Sequence, residues 1–328
     1  MEQLLLVFVL FLILAAEFVN GWTDAPNAIA TVVSTRTLTP RQAVILATLL
    51  NTAGAFAGTA VASTIGKGII KTSALNLTTV AAAMTAIIFW SVIAWRYGIP
   101  TSESHALIAG LSGAGLAAGG PSALLWDGWS KVLVGLLFST FLGTAGGWII
   151  AKTIQKIFCR FTPGFCRKSF GKAQIISSAF MAFSHGSNDG QKFIGAFTLA
   201  LLLGGTIDKF SVPFWVIILC ATTMGIGTSI GGMRIIKTMG LKMVKLETYQ
   251  GFSAETSSAS TIILASFLGI PLSTTHTINT SIIGVGVAKR RSAVRWKVVL
   301  RIVYAWLLTF PICGAMAFLT TYLFRIIF

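Results

Sequence analysis

Two segments of this chain place acids, amides and hydroxyls inside long apolar stretches. The first is Glu17-Phe18-Val19-Asn20-Gly21-Trp22-Thr23-Asp24-Ala25-Pro26-Asn27, and the second is Ser184-His185-Gly186-Ser187-Asn188-Asp189-Gly190-Gln191-Lys192. A carboxylate beside amide and hydroxyl oxygens offers the hard ligands that a cation such as Na⁺ prefers. Proline removes a backbone donor and obstructs the preceding turn, and glycine tolerates opened backbone. Gly21 and Pro26 therefore predict a broken helix with free carbonyls beside Asp24. The expected cation ligands are Thr23, Asp24 and Asn27 in one segment and Asn188 and Asp189 in the other. An aspartate in a loop often does no more than cap a helix. Two at matching positions, each within apolar sequence, weigh against that, because carboxylates at membrane depth are costly and usually functional.

A second pair of motifs is Gly98-Ile99-Pro100-Thr101-Ser102-Glu103-Ser104-His105 and Gly269-Ile270-Pro271-Leu272-Ser273-Thr274-Thr275-His276. Each opens an apolar helix. A helix start has unpaired N–H groups and a partial positive charge, so added hydroxyls make a seat for an oxyanion. Two such starts related by inversion could face each other around one tetrahedral anion. Either motif alone is also an ordinary Ser or Thr cap. His105 and His276 could carry protons, although packed histidines are commoner, and His185 has no twin. Lys192 could neutralise Asp189, touch the anion or snorkel toward an interface. Glu255, among Ser253, Thr256, Ser257 and Ser258, predicts a further cation site, with Met84 standing at the equivalent place in the first half.

These motifs need elements that hold them at membrane depth. Of 328 residues, 55% are hydrophobic and 10% charged, far below the roughly 25% charge of a soluble domain. Apolar stretches run at about 3–33, 41–65, 79–97, 101–119, 130–151, 173–204, 212–233, 252–269, 272–288 and 298–326. A bilayer core requires about 20 apolar residues per helix, so the expected fold is an all-α polytopic membrane protein. Met1–Leu14 has Glu2 and no basic residue ahead of its apolar run, which suits a retained span better than a cleaved signal.

The net charge of +16 invites a nucleic-acid reading, but nineteen of the 25 Lys and Arg residues fall on one side if each stretch crosses once. They are Arg36, Arg41, Arg96 and the clusters at 152–172, 234–245 and 289–301. Lys67, Lys71, Lys131, Lys209 and Arg325 fall opposite. Basic loops mark the cytoplasmic face, so both termini are expected outside, an anionic lipid bilayer is the natural neighbour, and no nucleic-acid partner is expected. The four cysteines have no metal-type spacing.

The paired motifs divide the chain into two repeats, 1–151 and 173–328, joined by a basic cytoplasmic linker at 152–172. Each repeat has about five stretches, an odd number, so the second enters from the opposite face. Inverted repeats with broken or re-entrant helices and a midplane site are typical of secondary transporters. An enzyme would need a nucleophile–base pair or a metal cluster, and three scattered histidines do not supply one.

Phe18 to Arg36, followed by Leu38-Thr39-Pro40, resembles the first signature of the inorganic phosphate transporter (PiT) family, and Ser184 to Lys192 is similar to its second. Thr23 stands where many members have Asn or His, and Pro26 where Ala is usual. The resemblance implies a symporter, often a homodimer, that imports inorganic phosphate with Na⁺ or H⁺ and has no other cofactor. It implies Thr101, Ser102, Ser104, Ser273, Thr274, Thr275 and Gln191 as phosphate ligands. The missing hydrophilic central loop of animal members points to a prokaryotic cell inner membrane. A proton-coupled phosphate or sulfate permease and an anion channel are the alternatives.

Overall fold

Gly-Ile-Pro is a helix stop, and the serine that follows it is a restart. In a computed structural model describing residues 2–327, α4 (Leu77–Tyr97) ends at Gly98 and α10 (Thr248–Phe267) ends near Gly269. Both glycines take left-handed backbone, φ 64° and 65°, which only glycine adopts without strain. The next N–H turns back onto the helix end in both cases, Ile99 N to Ala94 O at 3.0 Å and Ile270 N to Ala265 O at 2.8 Å, closing the left-handed cap. Pro100 and Pro271 then prevent the helix from resuming. Ser102 and Ser273 start α5 (Glu103–Gly119) and α11 (Thr274–Lys289), their hydroxyls accepting from His105 N at 3.2 Å and His276 N at 3.1 Å.

The remaining helices are α1 (Glu2–Ser34), α2 (Pro40–Gly54), α3 (Ala60–Gly68), α6 (Trp126–Ile157), α7 (Pro163–Leu203), α8 (Phe214–Ile230), the short α9 (Met233–Ile236) and α12 (Trp296–Ile327). α9 continues as π-type turns over Lys237–Met243. Helices α1 to α6 correspond in order to α7 to α12. Small features repeat too: 3₁₀ turns Pro121–Ala123 and Arg291–Ala293, and backbone bridges Ile70–Leu124 and Val244–Val294. Helices α1, α4, α6 and α12 are long and apolar enough to cross a bilayer, and α8 with the segment after it is apolar enough as a pair but bent by 61°, the form of a broken span or a re-entrant loop. α5 and α11 are shorter and buried almost throughout. The α4–α5 and α10–α11 pairs are hairpins entering from opposite ends, and the starts of α5 and α11 meet inside.

The halves interlock. α5 packs on α12 and α11 on α6, so each half's second hairpin helix lies against the other half's last helix; α1 packs on α8 and α2 on α7 in the same crossed manner. Small residues allow this approach. A Cβ on Gly21 would stand 2.3 Å from Met224 O, and one on its twin Gly186 would stand 2.0 Å from Asn51 O. Gly227 meets Phe18 O as Gly54 meets Phe183 O, and Gly113 meets Gly314 O as Gly284 meets Thr144 O. Matching contacts at matching positions are what a two-fold axis between inverted repeats produces.

The basic segments gather at one end. Thr35 and Thr37 both donate to Gln174, Gln155 donates to Tyr249, Arg234 donates to Arg96 O, and Lys289 pairs with Glu247. The chain leaves helix there only over 158–162, since α6 and α7 take up the rest of 152–172. At the other end Lys71 N donates to Ala123 O, and Lys67 lies over Phe210.

The expected breaks at Gly21–Pro26 and at 184–191 are corrected by this structure: α1 and α7 run through both segments as continuous helix. Pro26 withholds a single N–H, and the helix is enclosed on all sides there. Gly232 lies against Trp22 O and the Pro26 ring at about 3 Å of Cβ space, so the neighbouring backbone fits the proline instead of the helix opening. The real interruptions are at the hairpin tips, at 55–59 within the stretch 41–65, and between α8 and α9.

Gly21→Ala and Gly186→Ala should each lower stability by about 1–3 kcal/mol, the usual cost of overpacking, seen as a lower thermal midpoint in detergent. Equal sensitivity at both follows from the two-fold contact; a loss at only one would contradict it.

Candidate functional site

The tips of α5 and α11 meet beside the middles of α1 and α7. Asp24 on α1 and Asp189 on α7 are 4% and 1% exposed, and Glu103, the first residue of α5, is 2% exposed. Lys192 is the cation among them, also 1% exposed. Burial of three carboxylates with one ammonium is expensive unless each charge finds partners.

Thr274 Oγ1 donates to Asp189 Oδ2 at 3.1 Å, and Thr275 Oγ1 donates to Asp24 Oδ2 at 3.4 Å. Asn27 Nδ2 donates to Thr275 Oγ1 at 2.9 Å and Thr274 Oγ1 at 3.4 Å. One helix start thus touches both aspartates, one from each half. Thr23 Oγ1 donates to Glu103 Oε1 at 3.1 Å, and Ser91 on α4 donates to Glu103 Oε2. Ser104 Oγ donates to Leu272 O at 2.9 Å, joining the two tips directly. Lys192 Nζ donates to Asp189, to Ser104 and, at 2.9 Å, to Leu272 O. His185 Nε2 lies 3.5 Å from Asp189 Oδ2, and ligand atoms of Asp24, His185 and Asp189 lie within 4.8 Å of one another.

Of the residues singled out from sequence, Thr23, Asp24, Asn27, Asp189, Ser104, Thr274 and Thr275 come together here. Ser102 and Ser273 hold the helix starts with their hydroxyls, and Thr101 is buried beside them. Asn188 Nδ2 donates to Ser266 Oγ at 3.0 Å and Ile270 O at 3.3 Å, which ties the second tip to α7, and its buried Oδ1 has no hydrogen-bond partner among the described residues. Gln191 is engaged elsewhere: its Oε1 accepts from Val61 N at 3.0 Å, capping α3, and its Nε2 donates to Ser187 O. Glu255 forms a separate cluster, accepting from Thr31 on α1 and from Gln174 and Ser177 on α7; it shares no hydrogen-bond partner with the aspartates. His105 and His276 meet edge to face at 4.5 Å, and His276 stacks on Trp306.

Glu103 and His185 join the cluster without having been assigned a role from sequence. His185 was visible as a residue four before Asp189 on a helix. Glu103 resembles any acid in a first helical turn, and only the fold shows that this turn is buried. Glu17, fully buried with Asn20 donating to it at 3.4 Å, is a further acid on α1.

A family profile described as "Phosphate transporter family" matches residues 20–167 and again 161–317. The chain is 40% identical over 333 residues, covering all of both chains, to a probable low-affinity inorganic phosphate transporter of Bacillus subtilis. It is 43% identical to one of Rhizobium meliloti, over 94% of this chain and 92% of that one. Among solved structures, one titled "The sodium-dependent phosphate transporter" superposes with a TM-score of 0.83 at 25% identity, over 99% of this chain and all of the other. With two matches to one family profile, one in each half, and full-length relatives at this identity, the chain is a multi-pass membrane protein and a transporter rather than an enzyme, and it belongs to the phosphate transporter family.

Proposed function

We propose that this chain imports inorganic phosphate by symport with Na⁺ through alternating access, from a site where the tips of α5 and α11 face Asp24, Asp189 and Glu103. The observation that carries the reading is the convergence of two helix starts and their hydroxyls on buried carboxylates that outnumber the nearby cation. A helix start favours an anion; a carboxylate repels it. The site becomes tolerable to phosphate once cations have neutralised the acids, so each ligand promotes the other's binding, as linkage requires. Asp24, Thr275 and the Thr23–Glu103 pair offer oxygen ligands to the cation. Ser104, Thr274 and the first N–H groups of α5 and α11 offer donors to phosphate. Glu255, already accepting from three side chains, serves as a joint between α1, α7 and α10.

The hairpins entering from opposite ends give each face its own route to this site, and rocking one half on the other would expose it alternately. With the basic end toward the cytoplasm, both termini lie outside. The same bare carboxylates could take protons, which makes H⁺ coupling the second reading.

Phosphate uptake into liposomes should rise with an inward Na⁺ gradient; equal uptake under a proton gradient alone would remove the Na⁺ assignment. Thr275→Val deletes the hydroxyl that joins Asn27 to Asp24. A hydrogen bond to a charged group is worth about 1.5–3 kcal/mol, so the Na⁺ concentration for half-maximal uptake should rise roughly tenfold or more, with protein yield unchanged.

A further inference from the structure

The two halves treat their aspartates differently. Asp24 and Asp189 are twins, and so are the residues three places on, Asn27 and Lys192. Asn27 is neutral and spends its amide on Thr274 and Thr275. Lys192 carries a charge and spends it on Asp189. An ammonium has three N–H donors and no acceptor, and Lys192 Nζ has three oxygen partners: the Asp189 carboxylate, the Ser104 hydroxyl and the Leu272 carbonyl. They come from α7, from α5 and from the segment leading into α11. A carboxylate, a hydroxyl and a backbone carbonyl are the ligand types that a hard cation collects, and the side chain is buried.

The asymmetry extends to the hairpin tips. Glu103 opens α5, and its twin at the start of α11 is Thr274. The carboxylates without a lysine partner, Asp24 and Glu103, both belong to the first half, while the second half's acid in this cluster is already paired.

We propose that Lys192 Nζ is a resident cation, tethered in the place where the second half would otherwise bind a coupling ion, so that mobile cations bind only beside the first half's Asp24, which has no lysine partner. This rests on the symport reading above. A tethered ammonium neutralises Asp189 and holds Ser104 against Leu272 with no ion taken from solution. It also cannot leave with the substrate, so it adds nothing to the driving force. The consequence is fewer cations carried per phosphate than the twofold frame would allow, and hence a shallower accumulation for a given gradient.

Equilibrium binding of radioactive Na⁺ to the purified full chain tests this. Lys192→Asn copies the first half's own pairing and should gain an additional Na⁺ per chain relative to wild type. Adding Asp189→Asn to that variant should remove the gain. The reciprocal Asn27→Lys should place an ammonium on Asp24 and reduce the Na⁺ bound, and it decides the matter if Lys192→Asn does not elute as a folded species. An unchanged count in Lys192→Asn, or in Asn27→Lys, would overturn the proposal and leave Lys192 as an anion ligand or a packing residue. Phosphate uptake by the wild-type chain is a separate measurement: its absence would overturn the symport reading without altering the Na⁺ count.

Discussion

A carboxylate inside a bilayer-spanning protein must be neutralised, and around Asp24, Glu103 and Asp189 the protein supplies one fixed cation for three acids. Everything near the cluster is organised around that deficit. Hydroxyls of Thr23, Ser91, Thr274 and Thr275 turn their protons toward carboxylate oxygens, and two helix starts direct their positive ends inward. Such dipoles offset part of the burial cost and leave the rest to ligands that can come and go. An apolar core of the same shape would be more stable, and it would have nothing to transport.

The fold that holds this cluster is two copies of one unit, and neither copy is complete alone. α5 lies on α12 and α11 on α6, so each half's second hairpin helix is walled by the other half. The contacts that permit it are glycines against carbonyls, arranged in matched pairs: Gly21 with Met224 and Gly186 with Asn51, Gly113 with Gly314 and Gly284 with Thr144. In lipid there is no hydrophobic gain from helix association, so close packing of small residues carries it. The two-fold axis that these pairs define passes near the place where Ser104 meets Leu272 and His105 meets His276.

Local signals in the sequence carried far, and long-range ones did not. Gly98-Ile99-Pro100 with Ser102, and Gly269-Ile270-Pro271 with Ser273, could be read because a left-handed cap, a proline stop and a serine restart are all settled within a few residues. The inversion of the repeats followed from counting apolar stretches and basic loops. Pro26 misled because its effect depends on what surrounds it: with Gly232 packed against it, α1 stays continuous. Gln191 looked like a ligand within a polar motif, yet its oxygen is spent on the start of α3, a contact between positions 130 residues apart. Glu255 was legible as a buried acid, but its three donors, on α1 and α7, could not be read from its own neighbours.

Equivalent positions in a duplicated fold share a backbone environment, so differences between their side chains show where the halves have taken different work. Pro26 and Gln191 are such a pair, one meeting a glycine and the other capping a helix. Asn27 and Lys192 are another, and Glu103 and Thr274 a third. The last two act in one direction: they move negative charge into the first half and positive charge into the second. A phosphate seated between the tips would then meet hydroxyls and an ammonium on one side and acids on the other. Only that acidic side changes its charge when a cation arrives, so the anion's affinity is set by the occupancy of the first half while the second supplies a constant background. That division follows from charge and position alone, and it lets one symmetric scaffold respond to its ions asymmetrically.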